Sequence, residues 1–319
     1  MTVISDTFNR TFKTLRVSLL NTCNLACVYC CCGNEDSKEN YRSAKTQSLP
    51  VADLLELIAK LHERLDLTTV RLTGGEPLLY KQLPDLVKGI HNLGINELKL
   101  TTNGLLLDNL APSLKAAGIS SINVSLDAIH PDIYYLMSRR HDLNRTLKGI
   151  ETAQKLGIDV KINSVIMKGL NDNQILPLLE YAFARKIKIR FLEIMAMGHL
   201  HGSADEHFFS QEEILNRIAK HYPITPLPRK ISSTSNYWQT SDGNTFGIVA
   251  NESEPFCSDC NRLRLDAYGN IYGCLSSNNP ISIRETDTEL LDTRLREALA
   301  QKQLIKFTGS TLSMLHIGG

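Results

Sequence analysis

The chain lacks a surplus of charge of either sign: 35 Lys and Arg stand against 34 Asp and Glu, a net charge of +1 over 319 residues. No global field draws it to nucleic acid or to a membrane surface, though a local basic patch stays open. The first twenty residues, MTVISDTFNRTFKTLRVSLL, lack the apolar core of a secretory signal, so a cytoplasmic location is expected. Residues 17–34 carry no charge, but Asn, Thr, Ser and Cys interrupt them too often for a membrane span. More than two hundred residues between Cys32 and Cys257 contain no cysteine. The eight thiols therefore fall into two groups, one near each end. In a reducing compartment, metal or redox chemistry is a better reading of them than disulfides.

Hydrophobic residues make up 42% and charged residues 22%, enough for a large core without a disulfide scaffold. From residue 14 to about 196, strand-like runs (TLRVSLL, TTVRLTG, ELKLTTN, SINVSLD, DVKINSVIM, KIRFLEIM) alternate with amphipathic helical runs such as VADLLELIAKLHERL. Six such βα units imply an α/β fold with a parallel sheet and right-handed crossovers. The rhythm does not separate a doubly wound open sheet from a partial barrel. Polar residues gather at or just past the strand ends, where ligands of parallel α/β folds sit. The rhythm fades beyond about 210, which suggests residues 1–210 as one unit and 211–319 as a C-terminal region.

Cys23, Cys27 and Cys30 follow the first strand as C-x3-C-x2-C, with Tyr29 before the last of them. Zinc sites favour paired C-x2-C units and four ligands. Three thiolates suit three irons of a 4Fe–4S cluster, leaving the fourth iron open to a substrate or cofactor. A zinc loop or a redox thiol group remains the alternative on spacing alone. Cys31 and Cys32 are surplus and read as loop residues. In LTGGEPLL, Gly74 and Gly75 permit a ligand to come close to the backbone, Glu76 brings a carboxylate and Pro77 stiffens the exit. The second group, Cys257, Cys260 and Cys274, is again a trio, C-x2-C-x13-C, and a second open cluster fits it better than a closed zinc. Arg262 and Arg264 flank Leu263 and would share one face of an extended segment beside it, suiting a polyphosphate.

C-x3-C-x-(aromatic)-C with GGEP resembles the radical S-adenosylmethionine (SAM) superfamily. That resemblance implies a partial (β/α)6 barrel, a 4Fe–4S cluster on Cys23, Cys27 and Cys30, and SAM chelated to its open iron. It further implies SAM contacts at Tyr29, Gly74, Gly75, Glu76, Ser125 and Met195. PFCSDCNRLRL with its thirteen-residue gap, the terminal Gly-Gly, and LRVSLLNTCN, TTNG, VSLDA, GLND and RFLEIM in order are similar to the GTP 3′,8-cyclase family of molybdenum cofactor biosynthesis, from about Phe12 to Gly319. Membership would imply a second 4Fe–4S cluster on Cys257, Cys260 and Cys274. GTP would be held by Arg16, Arg71, Thr102, Lys161, Arg190, Arg262, Leu263 and Arg264. The implied reaction removes the ribose 3′ hydrogen and joins that carbon to guanine C8.

The same resemblance implies a flavodoxin- or ferredoxin-like reductant, a MoaC-type cyclic pyranopterin monophosphate synthase downstream, and a homodimer. The family's lysine two residues before Arg71 is here Thr69, which removes one expected cation. At the C-terminus, Leu312, Met314, Leu315 and Ile317 are too apolar for a frayed tail. They are expected to anchor it while Gly318 and Gly319 reach into the active site. The rival readings are a radical SAM enzyme for a peptide or other small molecule, and a non-catalytic metal-binding protein.

Overall fold

The computed structural model describes residues 4–30 and 48–318; Cys31, Cys32 and Gly319 lie outside them. Six parallel strands, β1 (Thr14–Ser18), β2 (Thr69–Thr73), β3 (Glu97–Thr102), β4 (Ser121–Ser125), β5 (Asp159–Ile166) and β6 (Lys188–Glu193), lie side by side in chain order. Helices α1 (Val51–Leu65), α2 (Leu83–Asn92), α3 (Leu107–Ala117), α4 (Pro131–Ser138), α5 (Leu143–Lys155) and α6 (Ile175–Ala184) connect the later ones. Their apolar stripes are what the sheet buries: Leu54, Leu57, Ile58, Leu61 and Leu65 of α1 all lie in the main core. Helix α3 ends where expected, on Gly118 in the left-handed region (φ 106°). The eight-residue α4 had no strand to pair with and was not visible in the βα rhythm.

Residues past 210 extend the same sheet at both edges. After α7 (Gln211–Ala219), the strands β7 (Ile224–Leu227), β8 (Asn236–Thr240) and β9 (Thr245–Val249) add beyond β6. Strands β10 (Arg262–Leu265), β11 (Asn270–Tyr272) and β12 (Ile281–Ser282) add beyond β1. Both junctions, β6 with β9 and β1 with β10, are parallel. The chain ends with α8 (Thr288–Ala300) and a single turn, α9 (Met314–Ile317). No helix among the described residues is long and apolar enough to cross a membrane.

Candidate active site

One cavity of about 530 Å³ opens along the inner face of the strands and over their C-terminal ends, within the range of small-molecule sites. Both cysteine trios line it, as do Tyr29, Gly74, Gly75, Glu76, Ser125 and Met195. So do Arg16, Arg71, Thr102, Lys161, Arg190, Arg262 and Arg264. Residues from Arg16 to Cys274 are thus gathered in one place.

The loop after β1 carries the first trio and is clamped to the turn after β2. Leu19 N donates to Thr73 O (2.9 Å), Gly75 N to Leu20 O (2.7 Å) and Glu76 N to Thr22 O (2.8 Å). This corrects the reason for the two glycines. A Cβ on Gly74 (φ 137°) would stand 2.7 Å from Leu20 O, and one on Gly75 would stand 2.0 Å from Thr22 O. The close approach they permit is that of the chain's own cysteine loop. Glu76 is buried and accepts from Leu78 N (3.0 Å), Asn103 N (2.8 Å) and the Thr102 hydroxyl (2.6 Å). Burial pushes its carboxyl up to about 7 against those hydrogen bonds. Thr102 is therefore engaged with Glu76, although it borders the cavity. Asn103 Nδ2 reaches the Cys23 sulfur (3.7 Å) and Asn24 Oδ1 (2.7 Å). The Tyr29 hydroxyl donates to Asp127 (2.9 Å), whose other oxygen accepts from Val165 N (2.8 Å). Burial raises Asp127 to about 6.

The second trio begins in the connection from β9 to β10 and ends just past β11. Arg10 ties it to the N-terminal segment: Nη1 donates to Cys257 O (2.6 Å) while the guanidinium pairs with Asp6. Asp259, between the cysteines, forms a two-pronged pair with Arg229 (2.8 Å each) and accepts from Ser232 N. Lys302, at the end of α8, donates to the Cys260 sulfur (3.5 Å) and to Arg262 O, and lies 4.8 Å from the centre of the Phe12 ring. Burial alone would raise the Cys260 thiol, but the Arg262 and Lys302 charges outweigh it and bring it to about 6. Cys257, facing its two fellow thiols, is pushed up to about 11, chiefly by burial. Among the described residues, no three Cys, His, Asp or Glu side chains close to the spacing of a single metal ion. All-thiol donor sets suit a four-iron cluster, whose irons are held by cysteine thiolates.

Arg16, Arg71, Arg190, Arg262 and Arg264 converge on the same cavity. Burial first, then the charges of the other four, depress Arg16 well below the ordinary arginine range; its Nε has no hydrogen-bond partner. Arg71 and Arg264 are each lowered to about 10, mainly by burial. What holds the guanidiniums in place is neutral. Asn163 Oδ1 accepts from Arg190 Nε (2.9 Å) and Nη2 (2.7 Å). With its amide oxygen turned toward them, Asn123 accepts from Arg190 (2.7 Å) and Arg71 (2.8 Å). Arg262 donates to Ser232 O (3.0 Å) and lies over Phe256. None of the five forms an ion pair among the described residues. Leu263 belongs to the opposite face of β10: its side chain is fully buried in the main core and does not border the cavity.

The tail is packed much as its composition suggested. Ile317 is buried with Met197, Tyr272 and Phe307, and Met195, Leu312 and Met314 pack on that cluster; Leu315 borders the cavity. Arg264 Nη1 donates to the carbonyls of Gly318 and Ile317 (the latter 3.4 Å). A Cβ on Gly318 (φ 74°) would lie 2.6 Å from Thr73 Cγ2. Sequence reasoning missed Arg10 and Lys302, and gave Asn103 and Asp127 no role beyond polar residues at the strand ends. Asn103 and Asp127 stand just past the ends of β3 and β4, which is what marked them; Arg10 and Lys302 had no such signal.

Residues 17–182 match the radical SAM superfamily, and residues 187–307 match the molybdenum cofactor synthesis C family. The chain is 34% identical over 314 residues to the GTP 3′,8-cyclase of Synechocystis sp., covering 98% of this chain and 94% of that protein. It is 36% identical over 305 residues to the GTP 3′,8-cyclase of Nautilia profundicola, covering 94% and 93%. Among solved structures, Streptococcus suis SuiB bound to S-adenosylmethionine superposes with a TM-score of 0.63 at 16% identity, over 88% of this chain and 65% of that one. Methylornithine synthase (PylB) superposes with 0.51 at 16% identity, over 66% and 62%. At these identities the two structures speak to fold alone.

Proposed function

Because the chain belongs to the radical SAM superfamily and, within it, to the GTP 3′,8-cyclases, we propose that this cavity is where it binds GTP and SAM. The protein is an enzyme that converts GTP to 3′,8-cyclo-7,8-dihydro-GTP in molybdenum cofactor biosynthesis, with two 4Fe–4S clusters and SAM as cofactors. When bound, the cluster and SAM supply a 5′-deoxyadenosyl radical that takes the ribose 3′ hydrogen. Cys23, Cys27 and Cys30 hold that cluster; Cys257, Cys260 and Cys274 hold the second. The GGEP turn, Ser125, Met195 and Tyr29 form the SAM side of the cavity. Glu76, already accepting three hydrogen bonds, serves as much to fix the turn as to meet a ligand. Arg16, Arg71, Lys161, Arg190, Arg262 and Arg264 form the GTP side, with Thr102 acting through Glu76. Gly318, whose carbonyl Arg264 holds, belongs with Gly319 to the tail that supports the GTP reaction.

The observation that carries the GTP assignment is five cavity-lining guanidiniums, Arg264 buried and the other four half-buried, none of them paired with a carboxylate among the described residues. Charge buried without a partner is costly. A triphosphate of about four negative charges supplies the partner through two-pronged, charge-assisted contacts. A one-electron donor of flavodoxin or ferredoxin type, a MoaC-type synthase acting on the product, and a homodimer complete the proposal. The test is anaerobic reconstitution followed by iron analysis and assay with SAM and reductant. About eight irons per chain are expected, with 5′-deoxyadenosine and the cyclised nucleotide formed together. Changing Cys23, Cys27 and Cys30 to Ala should leave about four irons and no SAM cleavage. Zinc at the second trio, or SAM cleavage indifferent to GTP, would count against the assignment.

A further inference from the structure

Strands β10, β1, β2 and β3 are neighbours, and their registers align one residue from each into a row: Arg264 opposite Arg16, Arg16 opposite Arg71, Arg71 opposite Lys99. Three members of that row are the arginines already assigned to GTP. The fourth, Lys99, also borders the cavity, and its position on β3 gives its side chain the same face as theirs. Its ammonium is paired with Glu97 Oε2 at 2.6 Å, and the Thr69 hydroxyl donates to that same oxygen at 2.9 Å. Glu97 is 60% exposed while Lys99 is 27% exposed, and Glu97 does not border the cavity. A lysine on the cavity wall is thus parked on a carboxylate outside it. Such half-solvated pairs are weak, so an anion arriving inside the cavity can compete for the ammonium.

Thr69 is the register partner of Glu97 and itself borders the cavity. It stands where the resemblance called for a lysine. Thr69 and Lys99 lie on adjacent strands, and both contact one carboxylate oxygen. Lys161 repeats the arrangement on β5, bordering the cavity and paired with the 59% exposed Asp159 at 2.9 Å. Lys99 and Lys161 therefore stand on either side of β4 on one face but two residues apart in register, since Ser121 is the partner of Lys99 and Asn123 that of Lys161.

We propose that Lys99 is a substrate-positioning residue that replaces the cation absent at Thr69, leaving Glu97 to hold the outer phosphates of the nucleotide. This rests on the reading of the cavity as a GTP site. Lys99 completes the row begun by Arg264, Arg16 and Arg71. It lies toward the N-terminal half of its strand, away from the first cysteine trio at the strand ends. It therefore acts on the polyphosphate and not on the sugar carbon that reacts.

The experiment is equilibrium binding of GTP, GDP and GMP to the anaerobically reconstituted protein without reductant, so that affinity is read apart from turnover. Iron content and melting temperature are checked for each variant. Lys99→Met should weaken GTP binding about tenfold and GMP binding less than about twofold. Adding Thr69→Lys to Lys99→Met should recover most of the GTP affinity, because the new ammonium starts from the adjacent strand. Lys99→Arg, which keeps the charge, should stay near wild type, and it stands as the second variant if Lys99→Met loads iron poorly. Wild-type affinity for GTP in Lys99→Met would overturn the proposal while leaving the GTP site intact. So would equal losses for GTP and GMP, or a failure of Thr69→Lys to restore binding. Failure of the wild type to bind GTP would instead overturn the GTP reading itself.

Discussion

Replacing Arg71 with Met should move two properties in opposite directions. In the folded protein, burial and the charge of Arg190 depress Arg71 to about 10. A base with a folded pKa below its unfolded value is harder to keep charged when folded. Near neutrality both states are charged, so the folded state carries the whole cost, which fades only above about pH 10. The depression corresponds to about 3 kcal/mol. Water on the open part of the side chain and the contacts to Asn123 and Thr101 (3.4 Å) offset part of that cost, so about 1 kcal/mol should be regained by Met. The ligand-free protein should melt about 1–3 °C higher at a fixed scan rate. GTP affinity should fall about ten- to a hundredfold, the loss of one charge-assisted contact worth about 1.5–3 kcal/mol. The measurements are anaerobic melting with and without GTP, in a buffer free of phosphate and sulfate, and a GTP titration. A lower melting point in the ligand-free variant would show that Arg71 is a structural residue and would sink the reasoning about uncompensated charge.

Gly75→Ala should strip iron from the first trio and abolish SAM cleavage while the second trio stays loaded, since its Cβ would fall 2.0 Å from Thr22 O; normal loading of eight irons (about four per cluster) would show that the cysteine loop can move aside. Deleting Gly318 and Gly319 should spare both clusters and SAM binding but suppress the cyclised nucleotide, and full-length rates in the truncated protein would return the tail to ordinary fraying. Asp127→Asn should flatten the pH dependence of stability: the buried carboxyl, raised to about 6, keeps its proton longer when folded than when unfolded. Wild-type stability should therefore drop by about 2–3 kcal/mol as pH climbs from about 4 to about 6, and an unchanged slope in the variant would place that proton elsewhere.

Much of the fold was legible because its signals are local. The helix of residues 51–65 has apolar residues at helical spacing, and the parallel strands alternate apolar with polar residues. The cysteine trios were legible because spacing is itself the signal. The pairing of β10 with β1 was not, because nothing in RLRL names a partner more than two hundred residues away. The burial of Leu263 was legible in principle: alternation along a strand puts it opposite Arg262 and Arg264. Lys302 was hidden for a different reason. AQKQL has the composition of a solvated helix end, and only the packing of α8 turns that lysine onto Cys260 and Phe12. The glycines of GGEP were read as making room for a ligand, when the nearer claim on that space comes from Leu20 and Thr22.

The topology explains why two metal sites so distant in sequence share one cavity. Strand β9 lies beyond β6 and β10 lies beyond β1, at opposite sides of the six parallel strands. The connection of residues 250–261 must therefore cross from one side to the other, and Cys257 and Cys260 ride on that crossing. Arg10 grips its backbone from the N-terminal segment and Arg229 grips Asp259 from the segment after β7, so the crossing is fixed from both sides. Once β10 is laid against β1 in parallel, Arg262 and Arg264 take register opposite Thr14 and Arg16, which puts two more guanidiniums on a face that already holds Arg16 and Arg71. The same strand then returns through β11 to place Cys274, and Arg264 is left within reach of the Gly318 carbonyl. One strand pairing thus joins the second cysteine trio, the cation row and the tail. A substitution that loosens β10 from β1 should accordingly damage cluster loading, GTP binding and tail docking together, whereas loss of Arg16 or Arg71, which hold neither a cysteine nor the tail, should touch only GTP binding.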